Sequence, residues 1–167
     1  MIFSKYIEND PREYCFEKLR GKRLIELGSG CGLAGLACMM RGAITTLTDL
    51  AVVVESLTSA NAHVNDMTFT LLPSTSSKPF TLLLKKIYTH CMSNFSSVEL
   101  HRPLVEALDW TAEYPTPEKA YDIVLLTDCV FSPHLAKPLV KQLLRLSGKK
   151  TEVICCHEIR DEVSFVF

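Results

Sequence analysis

Residues 23–50 read RLIELGSGCGLAGLACMMRGAITTLTDL, and the order of their apolar and glycine positions decides the fold. Arg23 to Leu27 is an apolar run of strand length, and Gly28, Gly30 and Gly32 follow it as a tight turn. Leu33, Leu36, Ala37 and Met40 then recur at i, i+3, i+4 and i+7, one face of a helix, with Gly42 placed to stop it. Ala43 to Thr48 is rich in β-branched residues and closes on Asp49. Val53, Leu57, Ala60 and Val64 supply a second helical stripe. A β-α-β-α unit is therefore complete by Asn65.

Outward from that unit the same alternation continues. Residues 13–20 suggest a short helix after Pro11, leading through Gly21 into the first strand. YDIVLLTDCVF, 121–131, is a nearly unbroken apolar run, as expected of a strand covered on both faces in a parallel sheet. In SPHLAKPLVKQLLRLSG, 132–148, Ser132 is placed as N-cap and Pro133 at the first helical position. Leu135, Leu139, Leu143 and Leu146 share a face, and Gly148 lies just past the end. Pro138 inside this pattern is expected to kink the helix or confine regular structure to its later turns. TEVICCHE, 151–158, gives one more strand, and the later half of SVELHRPLVEALDW, 97–110, another. The interval 66–97 fits neither pattern and is expected to be an insertion. The expected fold is one α/β domain over residues 1–167, a doubly wound, mostly parallel sheet with helices on both faces and right-handed crossovers.

Composition narrows the function. The 167 residues are 47% hydrophobic, enough to bury a core. Eighteen basic residues against nineteen acidic leave a net charge of −1, so no nucleic-acid or anionic-membrane partner is expected. Seven cysteines without a signal-peptide pattern point to a reducing compartment, cytoplasm or nucleus. No apolar run is long enough for a bilayer. There is no CxxC pair and no HExxH, so no metal site is expected; in the run Cys155 to Glu158, strand alternation would send the side chains to opposite faces. Oligomeric state is not legible.

Ligands of such sheets bind at the carboxyl ends of the strands, which directs attention to Gly28 to Gly32, Asp49, Trp110 and Asp128. Glycines admit a ligand close to the turn, and free N–H groups at the helix start face it. Asp49 is placed to accept both hydroxyls of a ribose. Two readings of the glycines compete. Gly30 to Gly35 matches the dinucleotide fingerprint GxGxxG, which would imply a nicotinamide-dependent reductase. Glu26 to Gly32 matches [DE]-x-G-x-G-x-G, the first motif of S-adenosylmethionine-dependent methyltransferases. Register favours the second, because Gly28 holds the strand's end and Gly30 would begin the dinucleotide fingerprint two residues late. A glycine turn without a ligand is the plain alternative. Asp128 has two roles open to it, a carboxylate beside the cofactor or a cap for the helix near Ser132. Asp109 and His134 read as turn or first-turn surface residues, and Trp110 as either cofactor wall or core.

Taken together, residues 21–50, 121–146 and 153–162 resemble the seven-β-strand protein-lysine methyltransferase family that includes the valosin-containing-protein lysine methyltransferase. The resemblance implies S-adenosyl-L-methionine as cofactor and methyl transfer to a lysine of a protein substrate. It implies a cofactor shell of Glu26, Gly28, Ser29, Gly30, Asp49, Trp110 and Thr127, with Trp110 beside the adenine. The family's D-x-x-Y motif falls on Asp128-Cys129-Val130-Phe131, making Asp128 the candidate catalytic residue and replacing the motif's tyrosine with Phe131. Its segment after the fifth strand falls on Cys156-His157-Glu158-Ile159-Arg160. The family has a tryptophan-bearing segment before the first strand and two further strands after the fifth, so a chain shortened at both ends is expected here. A noncatalytic cofactor-binding interaction module is the competing reading.

Overall fold

The computed structural model describes residues 2–9, 12–63, 101–129 and 132–157. The insertion read at 66–97, Phe131 and the segment from Glu158 onward lie outside them. The chain forms α1 (Ile2–Asn9), α2 (Phe16–Leu19), β1 (Arg23–Leu27), α3 (Leu33–Met39) and β2 (Ile44–Asp49). It continues through α4 (Ala51–Val53), which runs into a π-helical turn (Val54–Thr58), then β3 (Leu104–Ala107), β4 (Tyr121–Thr127), α5 (Pro133–Leu146) and β5 (Ser147–Cys156). The five strands form one parallel sheet in the order β3-β2-β1-β4-β5. β1 is central, with Leu24 opposite Thr45 on one side and Ile123 on the other. The expected α/β architecture is therefore present, and the chain reverses its direction of travel across the sheet at β1 and β4, where such folds open a crevice.

Alternation along the strands sorts the core into two layers. Leu24, Leu47, Ile123 and Leu125 face α3 and α1, while Ile25, Leu27, Val124 and Leu126 face Leu139 and Leu146 of α5. α3 is buried at every one of its seven positions, because α1 covers it from outside with Phe3 and Ile7. Arg41, itself fully buried, ties the two helices by donating Nη2 to the Ile7 carbonyl at 2.7 Å. Gly35 lets α3 lie this close to the sheet: a Cβ there would stand 2.4 Å from Leu47 and 2.7 Å from the Glu26 carboxylate.

Several local expectations are corrected. α1 was not foreseen. The helix read at 13–20 shrinks to Phe16–Leu19, since Tyr14 packs edge-on against Phe3 and gives its carbonyl to Arg41 Nη1 at 3.2 Å rather than to a helical ladder. The stripe Val53, Leu57, Ala60 is replaced by Val54, Thr58 and Ala62 as the buried row. The offset is already present at Val54, where the π turn begins, and the buried residues then recur four apart through it. α5 continues through Pro138, and Ser132 caps its start without a side-chain bond. Gly148 is not a helix stop but belongs to β5, where Gly148 N–H donates to Thr151 Oγ1 at 2.7 Å within an irregular stretch of the β4–β5 pairing.

Candidate functional site

The glycine turn leaves β1 at Gly28, whose left-handed φ of +65° favours glycine. Space there is equally restrictive, for a Cβ would meet Cys129 Sγ at 2.8 Å and the Trp110 ring at 3.1 Å. The turn is held from several directions. Ser29 N–H donates to the Thr48 carbonyl at 2.9 Å, Thr58 Oγ1 donates to the Gly30 carbonyl at 2.6 Å, and Asn61 Nδ2 donates to the Cys31 carbonyl at 3.0 Å. Thr58 and Asn61 were missed in the sequence because the π turn that aims them has no one-dimensional signature. Asp49 grips the turn as well, its Oδ2 accepting Gly30 N–H and its Oδ1 accepting Leu50 N–H, both at 2.7 Å. The carboxylate expected to be kept for a sugar is thus also a brace of the loop, with lone pairs to spare for a second donor on each oxygen.

Behind the turn lies Glu26, fully buried on the α3 side of the sheet. Gly35 N–H donates to its Oε2 at 2.8 Å and Thr127 Oγ1 to its Oε1 at 3.0 Å. Burial pushes its carboxyl up from the usual 4.5 to about 7, against the pull of those two donors. Glu26 and Thr127 therefore support the turn from beneath and do not line the cleft.

The cleft itself opens at the carboxyl ends of β1, β2 and β4. Gly28, Asp49, Asp109, Trp110, Asp128 and Cys129 line it, with Leu50, Leu108 and Leu135 as apolar wall. It encloses about 580 Å³ of empty space, counting its open mouth. Of the candidates read from sequence, Gly28, Asp49, Trp110 and Asp128 meet here, and Gly30 adjoins them through Asp49. Ser29 Oγ is buried and has no hydrogen-bond partner among the described residues. Trp110 stands between both of its expected roles, packing against the α5-side core while its ring faces Gly28. Its loop is fixed by fully buried Gln142, whose Nε2 donates to the carbonyls of Trp110 at 3.0 Å and Ala112 at 3.1 Å. Asp109 forms the expected turn, accepting from Thr111 N at 2.8 Å and Thr111 Oγ1 at 2.7 Å, bonds that hold its carboxyl below the usual range. His134 is an exposed first-turn residue bonded to Ser132 Oγ at 2.8 Å.

Asp128 is the sole non-glycine with positive φ among the described residues, at +59°. Its N–H donates to the Cys156 carbonyl at 2.8 Å, carrying the β4–β5 ladder one step beyond the strand. Its Oδ1 lies 3.4 Å from His157 Nδ1. Ser132 occupies the N-cap of α5, four positions farther along the chain. Cys129 points inward and donates Sγ to the Leu27 carbonyl at 2.9 Å; burial pushes its thiol up to about 12, so it is a packing group and not a nucleophile.

A family model described as lysine methyltransferase matches residues 1–78 and 85–167. The chain is 30% identical over 145 residues to the protein N-lysine methyltransferase METTL21A of Danio rerio, covering 86% of this chain and 53% of that protein. It is 27% identical over 143 residues to EEF1A lysine methyltransferase 3 of Xenopus tropicalis, covering 86% of this chain and 50% of that one. The chain thus spans about half the length of these relatives. Among solved structures, a putative S-adenosylmethionine-dependent methyltransferase of Methanococcus maripaludis superposes with a TM-score of 0.60 at 12% identity, over 92% of this chain and 54% of the other. A glycopeptide N-methyltransferase complexed with sinefungin gives 0.53 at 9% identity, over 91% and 51%. These two likenesses concern the fold.

Proposed function

Since the chain belongs to the lysine methyltransferase family, we propose that its cleft binds S-adenosyl-L-methionine and that the protein transfers a methyl group to a lysine side chain of a protein substrate. One observation carries this reading. Three of the described residues lining the cleft are aspartates, Asp49, Asp109 and Asp128, and none is basic. Such a cleft attracts a sulfonium and an ammonium and repels the pyrophosphate of a nicotinamide dinucleotide.

The residues present fit the cofactor. Gly30 has open space where a Cβ would stand, the buried Ser29 hydroxyl lacks a partner among the described residues, and the Trp110 ring offers a flat apolar wall. Gly28, Ser29, Gly30, Asp49 and Trp110 would hold it, with Glu26 and Thr127 fixing the turn from behind. Once bound, the group supplies an electrophilic methyl carried on a positive sulfur. The chain's part in the transfer is alignment more than proton abstraction, because the attack is an in-line displacement by a neutral amine. Asp128, at the tip of β4 and 40% exposed, accepts hydrogen bonds from that amine and stabilises the cation that forms on nitrogen.

The six described cysteines are free thiols, which supports a reducing compartment, cytoplasm or nucleus. No helix among the described residues is long and apolar enough to cross a membrane. The near-neutral charge balance of the chain supports a protein substrate and no nucleic-acid partner.

Two measurements test the proposal. S-adenosylhomocysteine should raise the melting temperature of the purified chain while NADH leaves it unchanged; the reverse result would point to a reductase. Labelled S-adenosylmethionine with cell lysate should yield labelled protein, and binding without labelling would reduce the chain to a cofactor-binding module.

A further inference from the structure

We propose that Gln142 is a positioning residue for cofactor binding: from the buried face of α5 it clamps the turn 109–112, so that the Trp110 ring stands as a fixed wall of the cleft. The inference rests on the S-adenosylmethionine reading of that cleft and adds a residue that lies outside it. Gln142 belongs by spacing to the apolar face of its helix, three positions after Leu139 and four before Leu146, both buried. It is itself fully buried. An amide set among leucines costs stability unless its polar atoms are bonded, and Oε1 has no hydrogen-bond partner among the described residues. What the side chain does make is a pair of bonds from Nε2, to the Trp110 carbonyl at 3.0 Å and to the Ala112 carbonyl at 3.1 Å. Carbonyls only accept, so the nitrogen is the atom that faces them, and its two protons match the two acceptors.

Leu108 N–H donates to the Asp49 carbonyl at 2.7 Å, which ties the start of the turn to β2. Beyond that point the bonds close on themselves. Ala112 N–H donates to the Asp109 carbonyl at 3.1 Å, and Thr111 donates to Asp109 Oδ1 from N at 2.8 Å and from Oγ1 at 2.7 Å. These bonds set the shape of the turn, whereas Gln142 sets where it stands against α5. The place of the ring matters, because Trp110 Cζ2 lies 3.1 Å from the point where a Gly28 Cβ would be, and both residues line the cleft. A flat ligand moiety seated on that ring gains from a wall already in place and loses affinity to one that must be ordered on binding.

Trp110 is the sole tryptophan of the chain, so intrinsic fluorescence reports on this ring alone. The full chain and its variants are compared by S-adenosylhomocysteine titration, acrylamide quenching and thermal melting. Gln142→Met keeps the length of the side chain and removes both donors. It should bind S-adenosylhomocysteine about 10-fold more weakly, equivalent to about 1.4 kcal/mol, with Trp110 more open to the quencher. Leu139→Ala, which removes core packing one turn away, should melt earlier yet keep the affinity and quenching of the parent. Should the methionine variant fail to fold, Gln142→Glu replaces it, with at most one proton to offer two carbonyls. A folded Gln142→Met with parental affinity, weaker binding without a change in quenching, or a Leu139→Ala that loses affinity equally overturns the proposal and leaves the methyltransferase reading standing. A wild-type chain that does not bind S-adenosylhomocysteine overturns both.

Discussion

At the scale of single residues, Glu26 shows how a supporting group can set a pH dependence. Its carboxyl is raised from 4.5 to about 7 by burial, so folding favours the protonated form. Stability is then fully present below about 4.5 and falls as pH rises through about 7. Glu26→Gln keeps an acceptor for Gly35 and a partner for Thr127 without the charge. Urea denaturation from pH 5 to 8 should show the parent losing on the order of 3 kcal/mol across that range relative to the variant; parallel curves would show that Glu26 ionises freely. Asp128 calls for a different substitution. Its φ of +59° is tolerated by Asn and costs Ala about 1 kcal/mol. Asp128→Asn should reduce label transfer by about 100-fold or more while leaving S-adenosylhomocysteine affinity within about twofold, whereas Asp128→Ala should also melt earlier. Gly28, Asp49, Trp110 and Asp128 were legible because strand-end chemistry is local in sequence. Thr58 and Gln142 were not, since each acts on a loop brought near only by the folded sheet.

At the scale of elements, β1 and β4 follow their apolar runs closely, because a strand covered on both faces needs an unbroken run and little else supplies one. Helices were harder. Those that are amphipathic or exposed advertise a stripe, but α3 is buried on all sides and its apparent face, Leu33, Leu36, Ala37 and Met40, was a subset of a wholly apolar helix. The second stripe slipped by one residue at the π turn, which also brings Thr58 and Asn61 onto the glycine loop. Packing of α3 gives a prediction of its own. Gly35→Ala would force a methyl against Leu47 and the Glu26 carboxylate, and overpacking of this kind costs about 1–3 kcal/mol. Urea midpoints of the variant and parent should differ accordingly, and an unchanged midpoint would mean that α3 can shift outward freely.

At the scale of the molecule, charge is nearly balanced overall, at −1, but not where the strands end. Three aspartates share one cleft, an arrangement that no sum over the sequence reveals. S-adenosylmethionine carries a positive sulfur that S-adenosylhomocysteine lacks, so raising salt from about 0.01 to about 1 M, which shortens the screening length from roughly 30 to 3 Å, should weaken binding of the first more than the second. Calorimetry at the two salt levels tests this, and equal salt slopes would remove the cleft's charge from the account of selectivity.

The buried Arg41 that joins Ile7 to α3 bears on how the molecule opens. α3 is buried along its whole length while α1 is in place, so the amides of its later turns exchange with deuterated solvent only after α1 has lifted or the whole domain has come apart. Exchange rates should therefore form a hierarchy in which no amide in the later turns of α3 outpaces the detachment of α1, and in which replacing Arg41 by leucine quickens both helices together.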